Sequence, residues 1–133
     1  MLNSERRKKM PTQIVPKMKY EAMLEEAQFT TNRIANKLGA KIDHIEMEYS
    51  ADRYSTPLVP VAGWVQMLIF LNNGYGASVI WSPYSYGGTQ LLWELALTKD
   101  GEVIYNDDYP DVMGWLDSDD ILEQITKISR YEN

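Results

Sequence analysis

The sequence predicts an α+β fold: a four- to five-stranded antiparallel meander sheet packed by an N-terminal and a C-terminal amphipathic helix. Three observations predict it. Forty consecutive residues, 54–93, carry no formal charge, and that many backbone amides are kept from water only by pairing with one another. Apolar stripes at helical spacing flank the neutral block on both sides. Two turn sequences, around Asn73-Gly74 and Asp100-Gly101, hold the residue pairs that close β-hairpins.

With 133 residues the chain has room for one core. The expected organisation is a flexible basic arm over residues 1–17 and a single α+β domain over residues 18–133. The arm has no apolar periodicity and carries Pro11 and Pro16. The absence of cysteine excludes a disulfide framework and a thiolate zinc site. The most apolar run, 58–71, is too short for a membrane helix and is broken by Pro60 and Gly63. No apolar segment follows Arg6, Arg7, Lys8 and Lys9 as a secretory signal requires. A cytoplasmic protein without membrane contact is therefore expected.

The net charge of −6 conceals a segregation. Residues 1–19 hold six basic groups against Glu5 alone, whereas residues 100–126 hold nine acidic groups and no basic one. An acidic body repels nucleic acid and attracts basic protein surfaces. Direct contact with nucleic acid is expected only through Arg6, Arg7, Lys8 and Lys9.

Residues 19–38 place Tyr20, Leu24, Ala27, Thr31, Ile34 and Leu38 at alternating steps of four and three, one stripe of a helix that Gly39 ends. The same stripe could pair with a second copy through Leu24, Ile34 and Leu38, so a homodimer is an alternative to core packing. From residue 42 to 49 the period changes to two: Ile45, Met47 and Tyr49 point one way, His44, Glu46 and Glu48 the other. Residues 50–60 read as a loop. Residues 64–71 are apolar on both faces, as in a central strand, and 77–81 return beside them after the turn at 72–76. Residues 82–90 are a long, uncharged connection rich in Tyr and Gly; 91–98 are the next strand and 103–105 a short edge strand. Residues 106–113 read as loop, and Asp117 or Ser118 caps a final helix whose buried stripe is Ile121, Leu122, Ile125 and Ile128.

No motif for catalysis or metal binding is present, and neither a catalytic role nor a cofactor is expected. His44 is the only histidine, set among carboxylates on a polar strand face, and reads as a solvated residue. The acids Asp107, Asp108, Asp111, Asp117, Asp119 and Asp120 lack the spacing of a calcium loop. Gly74-x-Gly76 lies between strands and is a turn, not a dinucleotide fingerprint. What remains as binding residues are Tyr75, Tyr84 and Tyr86, which offer large rigid contact area, Gly87 and Gly88, where a ligand could approach the backbone, and the acids Asp107, Asp108 and Asp111.

The runs NNGYGASVI, SYGGTQLLWELAL and DGEVIYNDDYPDVMGWL, followed by an acid-capped helix, resemble a family of small uncharacterised bacteriophage proteins with NGYGxSV, YGG, LWE and DGxxY…DVxGxL in that order. The resemblance spans residues 72–128 and implies a phage or prophage origin, without implying an activity. Three functions follow as expectations. The first is a phage-encoded, non-enzymatic protein that binds a host protein, such as a defence nuclease whose basic groove its acids occupy in place of nucleic acid, as an anti-CRISPR protein does. The second is a small-molecule or nucleotide-signal binder built on the Tyr and Gly loops. The third is a minor virion or assembly protein.

Overall fold

The computed structural model describes residues 15–50 and 63–132, of which 15–19 by backbone alone. It is an α+β fold with two helices on a six-stranded antiparallel sheet. The elements are α1 (Val15–Leu38), β1 (Ile42–Ser50), β2 (Trp64–Leu71), β3 (Tyr75–Trp81), β4 (Trp93–Lys99), β5 (Glu102–Val103), β6 (Met113–Leu116) and α2 (Ser118–Ile128). Five strands follow in meander order, β1-β2-β3-β4-β5, and β6 pairs with β4 beyond the end of β5. Residues 1–14 of the expected arm, and the expected loop at 51–60, lie outside the described residues. The last three arm positions open α1. There Pro16 is tolerated, because a first-turn N–H has no helical partner to lose.

The expected stripe on α1 faces the sheet: Ala27, Thr31, Ile34 and Leu38 are buried, with Met23 and Thr30 beside them and Tyr20 and Leu24 packed at the margin. This corrects the pairing alternative, since Ile34 and Leu38 are spent on the chain's own core and are not open to a second copy. Gly39, at φ +40°, ends the helix. In α2 the buried stripe is Ile121, Ile125 and Ile128, with Leu122 half-buried. Asp117 is the cap: its side chain accepts from the Asp120 N–H, and the Asp120 carboxylate accepts from the Asp117 N–H.

The helices meet at a small polar junction. Thr30 Oγ1 donates to Ser118 Oγ at 2.9 Å, Arg33 donates to the same oxygen at 2.9 Å, and Arg33 pairs with Asp119 at 2.8 Å. Ser118 is buried, so its hydroxyl is the group that satisfies both donors. Ser118→Ala is expected to destabilise by about 1–2 kcal/mol, read as a lower urea midpoint, whereas Asp119→Asn, at the exposed end of the ion pair, shifts it little.

Hydrophobic alternation sets the sheet's inner face: Val65, Met67, Ile69 and Leu71 on β2, Tyr75, Ala77, Val79 and Trp81 on β3, Trp93, Leu95 and Leu97 on β4. These and the helical stripes form one core. Hairpin turns form at Asn73-Gly74 and Asp100-Gly101, with Gly74 at φ +86°, Asp100 at +50° and Gly101 at +84°, the first shorter than the expected 72–76 because Tyr75 and Gly76 belong to β3.

Several boundaries differ from expectation: α1 begins at Val15 rather than 19, and β3 begins at Tyr75 rather than 77, because Tyr75 and Gly76 already pair with Lys99, Phe70 and Thr98. β4 begins at Trp93 and not at residue 91, because residues 88–90 form a short 3-10 helix and Leu91 turns through φ +61°. The edge strand is Glu102–Val103, not 103–105. Residues 113–116, expected to begin in loop, form a sixth strand on the stretch of β4 that β5 leaves free, Leu95 opposite Met113 and Trp93 opposite Leu116. Four residues including a glycine hold too little periodicity to announce a strand; the free edge of β4 recruits them. Among the described residues no helix is long and apolar enough to cross a membrane.

Candidate functional site

The residues singled out in the sequence separate into two groups at opposite ends of the sheet. Tyr75 opens β3, whereas Tyr84, Tyr86, Gly87 and Gly88 follow its end at Trp81. The six strand residues after Tyr75, Gly76 to Trp81, lie between them, roughly 20 Å of strand. One aromatic pocket cannot contain both groups.

At the first end, Tyr75 is buried and meets the Tyr131 ring edge-on at 4.9 Å, and Tyr131 meets Tyr109 edge-on at 5.4 Å. The Tyr131 hydroxyl donates to Asp108 at 2.7 Å and accepts from Asn106 Nδ2 at 3.0 Å. Asn73 Nδ2 donates to the Ile128 carbonyl at 2.8 Å, joining the hairpin turn to the end of α2. Tyr131 is the keystone, and it sits in a polar terminal stretch with no local signal. Its hydroxyl is held above its ordinary pKa, first by the hydrogen bond to Asp108. Burial, then Asp108, raises Tyr109. Asp108 is thus a structural acceptor; Asp111 accepts from the neighbouring Val112 N–H, and Asp107 is exposed. Tyr131→Phe is expected to loosen residues 106–109, measurable as faster amide exchange at Asp108 and Tyr109, whose N–H groups bond Asn106 Oδ1.

At the second end the chain builds a rim. Trp81 is fully buried and its indole N–H donates to the Gly88 carbonyl at 2.8 Å. Ser82 and Ser85 close the turn on themselves: Ser82 N–H donates to Ser85 Oγ, and Ser85 Oγ donates to the Ser82 carbonyl at 2.9 Å. Gly88 N–H, Gln90 N–H and Leu92 N–H bond to the carbonyls of Ser85, Gly87 and Gly87. Both glycines are buried and their free sides are filled by the chain itself. A Cβ on Gly88 would lie 1.9 Å from the Ser82 carbonyl oxygen, and Gly87, at φ +87°, lies against Leu92 and the Trp115 backbone. They hold the turn tight and leave no room for a ligand against their backbone.

What the turn presents is aromatic. Tyr84 is 75% exposed, Tyr86 60% and Trp115 54%, high values for side chains of this size. Trp115 belongs to β6, and its N–H donates to the Tyr86 carbonyl at 3.3 Å, so strand and turn share one surface. Gly114 permits that approach: a Cβ there would sit 2.4 Å from Tyr86 Cβ. Trp115 also holds φ +62°, left-handed backbone that an L-residue adopts at about 1–2 kcal/mol. Sequence reasoning found the tyrosines by composition but missed Trp115, which only the β4–β6 pairing brings beside them.

Along the edge strand β1, the His44 ring bonds Asp43 at 2.7 Å and Glu46 at 3.0 Å and stacks on Phe70 at 4.1 Å between centroids. It is exposed but not merely solvated, and its pKa is raised above 6.5, first by the hydrogen bond to Asp43 and then by that to Glu46. A raised folded pKa stabilises fully below the unfolded value and the gain is lost as pH rises through the folded pKa. Wild type is therefore expected to exceed His44→Gln in urea midpoint at pH 5, and the difference to shrink as pH rises through the folded pKa, leaving what the ring's stacking on Phe70 contributes.

Among the described residues no three His, Asp or Glu side chains gather to hold a metal ion. Asp117 and Asp120 are committed to the helix cap and Asp119 to Arg33. Comparisons with protein-family models, with curated proteins and with solved structures find no match to this chain.

Proposed function

We propose that this chain is a non-enzymatic binding protein that acts on a host protein, which it engages with the rim of Tyr84, Tyr86 and Trp115. One observation carries the proposal: three large aromatic side chains stand more than half exposed, Tyr84 and Tyr86 on a turn whose backbone is closed by its own hydrogen bonds and Trp115 on the strand bonded to that turn. Rigid aromatics lose little entropy when covered, so exposed apolar area of this kind is recovered as binding free energy. Trp115 stands where Gly114 and Trp115 on β6 oppose Glu94 alone on β4, a bulge whose left-handed backbone re-aims the side chain.

Charge narrows the partner. The net charge is −6, and between Arg53 and Lys99 the chain has no basic residue, which disfavours phosphate-rich ligands and favours a basic protein surface. The nucleic-acid groove of a host defence nuclease is such a surface, and a phage-encoded inhibitor would occupy it. Wild-type protein is expected to capture a host protein from lysate at low salt and to release it as salt rises, because exposed charges are screened within about 8 Å at physiological ionic strength. Tyr84→Ala with Tyr86→Ala is expected to abolish capture. Equal capture by wild type and the double variant would overturn the rim as the contact, and capture indifferent to salt would overturn the basic partner.

A further inference from the structure

Both helices pack on one face of the sheet, and the strand register defines what stands on the other. Directly opposed residues in antiparallel strands share a face. One row across the sheet therefore reads Glu48, Gln66, Ile80, Glu94; the next reads Glu46, Leu68, Ser78, Ala96. A third begins His44, Phe70, Gly76, Thr98. The centre of this face is apolar, with Leu68, Phe70 and Ile80 half-buried, and contains one satisfied polar pair, Gln66 Nε2 donating to Ser78 Oγ at 2.9 Å. Its margins are acidic: Glu46 and Glu48 on β1, Glu94 on β4. Among the described residues, neither Glu48 nor Glu94 has an ion-pair partner.

We propose that this face is a docking surface for a basic amphipathic helix of a protein partner. The proposal rests on the reading of the chain as a protein-binding protein and assigns it a second contact, distinct from the rim. Dimensions and charge select the occupant. Glu48 and Glu94 are three strand spacings apart, about 14 Å, and a helix with its side chains is about 10–12 Å across. A helix laid between the margins sets its apolar stripe on Leu68 and Ile80, while lysines or arginines on its flanks reach the glutamates on either side. A second copy of this chain does not meet the same demand: two such faces would bring acidic margins together. Phe70 adds to the floor, where its ring lies between His44 and Gly101, 3.1 Å from a Cβ placed on that glycine.

The test uses the full chain and a fluorescently labelled 18-residue helical peptide of leucine and lysine with the leucines on one face, followed by anisotropy. Binding is expected, and Glu48→Gln with Glu94→Gln is expected to weaken it roughly tenfold, two flanking charge pairs being lost. A control pair on the helices, Glu25→Gln with Glu123→Gln, changes total charge equally and is expected to leave the affinity unchanged. No peptide binding would overturn the proposal, as would equal weakening by the control pair, which would mean diffuse attraction to an acidic protein. Concentration-dependent dimers abolished by Glu48→Gln with Glu94→Gln would likewise overturn it, in favour of a second copy. Tyr84→Ala with Tyr86→Ala leaves peptide affinity intact if the face stands apart from the rim. Wild type that binds the peptide but captures no lysate protein counts against the proposed function, and wild type that captures a lysate protein but does not bind the peptide counts against this face.

Discussion

Replacing Trp81 with alanine is expected to lower stability by roughly 3–5 kcal/mol and to release the 82–92 turn in the same step. The side chain is fully buried among the inner-face residues, and its indole N–H fastens the turn to the core at the Gly88 carbonyl. Removal of the ring leaves a cavity under the sheet and takes away the indole's bond from core to turn. Trp81→Phe separates the two effects. It keeps most of the packing and loses the N–H, while the Gly88 carbonyl still accepts from the Leu91 N–H, so its cost is about 1 kcal/mol. The turn nonetheless loses its anchor. Urea midpoints followed by far-ultraviolet circular dichroism measure the stability term. Amide exchange at Gly88, Gln90 and Leu92 measures the turn, and is expected to quicken in both variants. Slow exchange in Trp81→Phe would show that the serine bonds alone hold the rim.

Gly76→Ala is expected to be nearly as damaging, roughly 3 kcal/mol, for a methyl group on a strand. Gly76 faces away from the helices, opposite Phe70 and Thr98. A Cβ there would lie 1.9 Å from the Ile69 carbonyl oxygen and 3.0 Å from Thr98 Oγ1. The first contact is with backbone, which cannot swing aside, so the β2–β3 ladder itself must open. Ser78→Ala, two residues along the same face, removes one hydrogen bond from Gln66 and should cost about 1 kcal/mol. An equal loss for both variants, measured as the change in urea midpoint, would show that the hairpin yields where the close approach says it cannot.

These effects also explain what was readable in the sequence. The neutral block, the two hairpin turns and the helical stripe depend on near neighbours in the chain: alternation along a strand, an Asn-Gly or Asp-Gly pair, spacing of three and four along a helix. Such signals survive in a single sequence, and the sheet and both helices follow from them. The functional groupings depend on register instead. Tyr75 and Tyr86 both stand before a glycine and look alike locally. Strand alternation turns Tyr75 inward toward Tyr131, while the self-closed turn holds Tyr86 outward beside Trp115. Trp115 and Tyr131 each lie more than twenty residues from the tyrosines they join, and nothing short of the β4–β6 pairing and the docking of α2 places them. The same holds for the open face: its acidic margins belong to β1 and β4, and only the order of strands makes them two sides of one surface.

The proposed function asks that Trp115 be aimed outward for a partner at some expense to the fold, and Trp115→Gly tests that most directly. Glycine adopts φ +62° without strain, so removing the side chain should relieve about 1 kcal/mol of backbone strain while erasing one of the rim's three aromatic side chains. The expected result, with the captured host protein titrated calorimetrically into each form, is an urea midpoint equal to or above that of wild type and an affinity at least roughly tenfold weaker, more than 1.4 kcal/mol. Undiminished affinity in the folded glycine variant would contradict the rim as the binding surface.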